Sequence, residues 1–116
     1  MTDSEEAAAP TFHDLLERSG LGLDAPHIDA EQLATPITWS HTTELHDPSR
    51  YLRGGELVCT VGISLQTPTD CDTFVDALSR SGVAGICFGI GDVHDTTPRA
   101  LIDAYLADRK RSQDEP

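Results

Sequence analysis

Apolar residues recur along this chain in two rhythms, one helical and one extended. In TFHDLLERSGLG, Phe12, Leu15 and Leu16 fall at helical spacing. Thr11 precedes them as an N-cap with Asp14 three residues on, and Gly20 supplies a stop. Residues 24–36 are punctuated by Pro and Asp and predict a turn or short strand near Ile28. PITWSH then alternates, so Ile37, Trp39 and His41 share one face of a strand and Thr38 and Ser40 the other. In DPSRYL, Pro48 suits the first helical position behind Asp47, which predicts one helical turn.

After the Gly54-Gly55 break, ELVCTVG reads as a buried strand, and so does VAGICFGIG further on. Neither alternates cleanly, as expected when both faces of a strand are covered. Between them PTDCDTFVDALSRSG has an acidic first turn, Phe74, Val75 and Leu78 on one side, Arg80 near the end and Gly82 as stop. TTPRALIDAYLADRK repeats the helical pattern with Thr97 as cap, Pro98 behind it, and a stripe of Leu101, Ile102, Tyr105 and Leu106. A strand over 57–62, a helix over 70–81 and a strand over 83–90 make a βαβ unit, with parallel strands and a right-handed crossover. The fold class is therefore α/β, a small sheet with helices packed on it in a single domain.

Length agrees with that count, since 116 residues fit one compact domain. Residues 1–10 (MTDSEEAAAP) read as a disordered tail, 11–106 as the folded unit and 107–116 (ADRKRSQDEP) as a charged C-terminal tail. Twenty acidic residues against eight basic ones leave a formal charge of −12. A nucleic-acid binder needs a basic face, and the one basic cluster, Arg109 to Arg111, stands alone. Direct DNA or RNA binding is excluded on that ground, and anionic membranes are disfavoured by the same charge. No stretch approaches the roughly 20 apolar residues of a membrane span. The N-terminus is acidic, without the apolar core of a signal peptide. Cys59, Cys71 and Cys87 are odd in number and lack CxxC spacing, so they read as reduced thiols of a cytoplasmic protein.

Chemistry concentrates in ITWSHTTELHDPSRYLRGGELVCTVG, residues 37–62. His41 and His46 with Glu44 and Asp47 match no familiar zinc spacing, and no metal or cofactor is expected. Cys59 and Cys87 lie mid-strand in apolar runs where thiols are inert, and no serine sits in a nucleophile elbow, so no catalytic residue is assigned. GIGD at 89–92 ends a strand as a phosphate-cradling loop would, but lacks the third glycine of a dinucleotide fingerprint. Glu56, at the amino end of its strand, reads as a structural carboxylate with Arg50 or Arg53 as partner. Ligands of open α/β sheets gather at the carboxyl ends of strands. Here those ends are His41 to Glu44, Thr60 to Gly62 and Gly89 to His94, three polar clusters on one rim.

A longer pattern joins these pieces. It runs Ile37-x-Trp39-x-His41, Glu44, Asp47-Pro48, Leu52, Gly55-Glu56-Leu57 and Thr60-x-Gly62, then Phe74, Ala77-Leu78, SGVAGICFGIG and Pro98. Over about residues 11–106 it resembles the N-terminal domain of the PucR-type purine catabolism regulators. A looser similarity to the N-terminal domain of Mur ligases supports the α/β reading alone. The regulator resemblance implies a non-enzymatic sensory domain in transcriptional control, with no DNA-binding element of its own and a purine-catabolite effector. On that reading Trp39, His41, Glu44, Thr60, Gly62, Gly91 and Asp92 form the ligand rim. A second reading makes the domain an interaction module, a homodimer or a partner of a DNA-binding regulator.

Overall fold

The computed structural model describes residues 9–17, 23–25 and 27–114. Residues 1–8 of the expected tail and the Gly20 stop lie outside the described residues. Helix α1 covers Phe12–Glu17, α2 Ala30–Leu33, β1 Trp39–Thr42, β2 Glu56–Thr60, α3 Pro68–Arg80, β3 Gly85–Phe88 and α4 Arg99–Asp114, with a 3-10 turn at Ser49–Tyr51. The three strands form one parallel sheet in the order β1-β2-β3. The βαβ unit is β2, α3 and β3, and the α/β class holds.

Local chemistry fixes the helix starts. The Thr11 hydroxyl accepts the Asp14 N–H at 3.2 Å while the Asp14 carboxylate accepts the Thr11 N–H at 3.0 Å. Thr67 and Asp70 repeat this reciprocal cap at the start of α3, where Pro68 needs no N–H partner. Asp29 caps α2 through the Gln32 N–H, in a stretch where a turn or strand was expected. The Asp47 carboxylate accepts the Ser49 N–H at 3.0 Å and so turns the chain into its short 3-10 segment.

Two apolar layers cover the sheet. On one face Val58 packs with Leu65, Cys71, Phe74, Val75, Leu78 and Leu101 beneath α3 and α4. On the other, Leu57 packs with Phe12 and Ile37, and Ile28 and Cys87 lean against them. Gly85 permits this second layer, because a Cβ there would come within 2.6 Å of the Phe12 ring.

Several expectations need correction. Ile37 does not share a face with His41: it packs on Leu57, whereas register sets His41 beside Val58, which faces the other layer. The strand begins only at Trp39, so alternation is not imposed before it. Strand β3 is an edge strand of four residues, and Ile86, Cys87 and Phe88 are half-buried rather than covered on both faces. Residues 107–114, expected as a charged tail, continue α4. Arg109 anchors that turn through a 2.7 Å ion pair to Asp29.

Candidate functional site

The carboxyl ends of the strands are tied together by one carboxylate. Glu44, two residues past β1, takes the Thr60 hydroxyl at 2.9 Å, the Val61 N–H at 2.9 Å and the Ile63 N–H at 3.0 Å. Thr60 Oγ1 in turn accepts the Gly62 N–H at 3.0 Å. Burial alone would raise the Glu44 carboxyl, but the Val61 and Ile63 N–H groups and the Thr60 hydroxyl outweigh it and hold it below the usual glutamate range. From the loop that follows β3, His94 Nε2 lies 2.9 Å from the Gly62 carbonyl and its ring packs against Phe88. Gly62 has φ +79°, and a Cβ on it would come within 2.8 Å of Phe88 and 2.9 Å of His94. Only glycine fits that turn.

The fold brings together only some of the residues expected on the rim. Glu44, Thr60 and Gly62 meet, but they spend their hydrogen-bonding capacity on one another. His41 is half-buried within β1, one residue short of its carboxyl end. Trp39 stands at the opposite end of that strand beside Glu56 and is 70% exposed, away from the rim. Gly91 and Asp92 are exposed on the β3–α4 loop, where the Gly91 N–H closes a turn on the His94 carbonyl. The Glu56 carboxylate accepts the backbone N–H groups of Arg53 at 2.5 Å and Gly54 at 2.8 Å. Backbone, not a guanidinium, is its partner there. Among the described residues no three His, Cys, Asp or Glu side chains are grouped to hold a metal ion.

A different concavity lies along the β3 edge of the sheet, where the two apolar layers meet. A groove of about 400 Å³ runs between α1, α2, β3 and α4, walled by Phe12, Leu57, Phe88, Leu101 and Ile102. Its volume lies within the range of small-molecule sites, and its walls are largely apolar, as such sites usually are. Asp24, His27, Gln32, Thr97 and Tyr105 also line it, and two of these polar side chains are bonded to each other. The Tyr105 hydroxyl donates to Gln32 Oε1, and Gln32 Nε2 donates to the Ala84 carbonyl at 3.2 Å. Burial pushes the Tyr105 hydroxyl above the ordinary phenol range. Gln32 retains one amide N–H and one oxygen lone pair beyond these bonds, and the Tyr105 oxygen can still accept. Sequence reasoning placed Tyr105 on the apolar stripe of α4 but missed Gln32, whose helix of four residues is too short to show a period.

A three-stranded parallel sheet with helices on both faces and a groove along its β3 edge defines a small α/β domain. Comparison with known proteins carries the assignment further. The model of the purine catabolism regulatory protein-like family matches residues 14–110, and the chain belongs to that family. It is also 30% identical over 103 residues to the transcriptional activator PmfR of Paenarthrobacter nicotinovorans, a match that covers 88% of this chain and 21% of that protein. The chain therefore spans about a fifth of the curated relative's length. No solved structure matches it.

Proposed function

We propose that this is an effector-binding regulatory domain of transcriptional control, non-enzymatic, with a purine-catabolite class ligand seated in the groove. The observation that carries the reading is the bonded Gln32–Tyr105 pair in a groove whose walls are largely apolar, with Asp24, His27 and Thr97 as the other polar lining residues. The free N–H and lone pair of one amide complement the –CO–NH– edge that oxopurines and cyclic ureides share. A planar ring would lie against Phe12, Leu101 and Ile102 while that edge meets Gln32. Family membership and the name of the relative, a transcriptional activator, support the regulatory setting.

The chemistry-bearing groups elsewhere support a non-catalytic role. Burial and the neighbouring Cys87 push the Cys59 thiol up, away from a reactive thiolate. Glu44 and Glu56 are committed to backbone N–H groups. With a charge of −12 the domain does not read DNA itself. No helix among the described residues is long and apolar enough to cross a membrane.

Thermal unfolding of the purified chain against oxopurines, allantoin-type ureides and control heterocycles tests the reading. A ligand that binds only the folded state at 100 times its Kd adds about 2.7 kcal/mol, visible as a raised midpoint. A rise for amide-edged rings but not for their N-methylated analogues is expected. No rise with any of them at millimolar concentration would refute it.

A further inference from the structure

The rim that Glu44 closes is apolar on its outer surface. Leu45 from the first loop, Val61 and Ile63 from the second, and Ile90 and Val93 from the third are each 39–63% exposed. They are neighbours in space as well as in kind. Glu44 binds the Val61 and Ile63 N–H groups, which brings Leu45 beside that loop. A Cβ on Gly89 would lie 3.2 Å from Val61 Cγ1, so Val61 sits over the residue preceding Ile90. His94 on the Gly62 carbonyl holds Val93 to the same loop. Five large aliphatics from three separate loops form one patch, the kind of surface that marks an interaction site.

Charge identifies what the patch takes. Residues 43–46, 61–72 and 89–99 contain five carboxylates, Glu44, Asp70, Asp72, Asp92 and Asp95, against one Arg or Lys, Arg99. Arg99 is itself paired with Asp103 at 3.1 Å. Among the described residues, Arg80 and the Arg109 to Arg111 cluster lie toward the far end of the sheet. Helix α4 starts at the rim and runs back until Tyr105 meets Gln32, which binds the Ala84 carbonyl just before β3, and Arg109 to Arg111 lie beyond. Arg80 ends α3, which crosses from the carboxyl end of β2 to the amino end of β3. A second copy of this acidic rim would face like charge, which costs binding energy.

We propose that the carboxyl rim is a protein-docking surface for a partner segment that carries Lys or Arg beside aliphatic anchors. The aliphatics of the segment cover Leu45, Ile63, Ile90 and Val93, and its cations meet Asp92 and Asp95. Ile90 also lines the groove, so the two surfaces adjoin there; Leu45, Val61, Ile63 and Val93 lie outside its lining, and the docking reading stands on them without the effector reading.

Fluorescence anisotropy on the full chain tests it with three labelled peptides, alternating Lys-Leu, Lys-Ser and Glu-Leu. The Lys-Leu peptide is expected to bind roughly tenfold tighter than either control, about 1.4 kcal/mol. Ile63→Asp combined with Val93→Asp should abolish that preference although it adds two negative charges. Both side chains are exposed, and an unchanged melting midpoint verifies the fold; Leu45→Asp alone serves as the alternative variant. Equal binding of Lys-Ser, or undiminished Lys-Leu binding by the Asp variants, would reduce the contact to bulk charge and overturn the proposal. Concentration-dependent sedimentation relieved by Ile63→Asp would make the occupant a second copy and overturn it equally.

Discussion

The Thr60 hydroxyl donates to Glu44 Oε1 at 2.9 Å, joining the end of β2 to the loop that leaves β1. The same carboxylate receives two backbone N–H groups, so its loss strands three donors at once. Glu44→Ala is expected to lower unfolding stability by about 2 kcal/mol, since hydrogen bonds to a charged acceptor exceed neutral ones. Glu44→Gln should cost less, because one oxygen still accepts. Chemical denaturation of both variants measures the difference, and equal costs would contradict the role given to the charge.

Gly62 and Gly82 both have positive φ, but their surroundings differ. An added methyl at Gly62 meets Phe88 and His94, whereas at Gly82 nothing lies within 4 Å. Gly82→Ala should therefore cost about 1 kcal/mol for backbone strain alone. Gly62→Ala should cost about 2 kcal/mol or more, because ring displacement is added to the strain. Denaturation midpoints of the pair give the comparison directly.

Acid should destabilise the domain through identifiable carboxyls. Burial acts to raise Glu44 and Glu56, but the N–H groups they accept outweigh it, and both titrate below the usual glutamate range. Asp70 is lowered first by the Gln66 N–H, then by its bonds at Thr67. A carboxyl depressed in the folded state lends stability that is full above its unfolded pKa, near pH 4–5, and lost as pH falls through the folded value. Melting midpoints should hold from pH 7 to about 5 and fall steadily below. Combining Glu44→Gln with Glu56→Gln should lower the plateau and flatten the acid slope.

Much of this fold was legible because its signals are local. Thr11 with Asp14 and the pattern around Phe74, Val75 and Leu78 announce α1 and α3, and the two apolar runs announce a parallel pair. Trp39 shows where local signals end. Alternation gives the face of a side chain, but β1 lies at the sheet edge and no element among the described residues covers Trp39, which the chain's own pattern cannot express. The last turns of α4 read as tail because their anchor, Asp29, is 80 residues away in sequence. The rim was found from the ends of the strands, yet the part played by Glu44 was not, since its partners lie 16 to 19 residues downstream. Gln32 and Tyr105 are 73 residues apart, and only the folded chain brings them into one groove.

The groove makes its own prediction. Ile102→Trp adds bulk to its α4 wall and should abolish the effector-induced rise in melting midpoint while leaving a folded domain. Tyr105→Phe removes the phenol that orients Gln32 and should weaken binding roughly tenfold, the worth of about one neutral hydrogen bond. An Ile102→Trp variant that responds as fully as the parent would place the ligand elsewhere.

The most direct test of the effector site is a ¹⁵N-labelled titration with the purine or ureide that raises the melting midpoint most. Shifts concentrated at Phe12, Gln32, Leu57, Leu101 and Tyr105, with the Gln32 side-chain amide among the largest, are the predicted result. Shifts concentrated instead at His41, Thr60, Gly62 and Asp92, with the Gln32 amide unmoved, would contradict the groove and return the ligand to the rim.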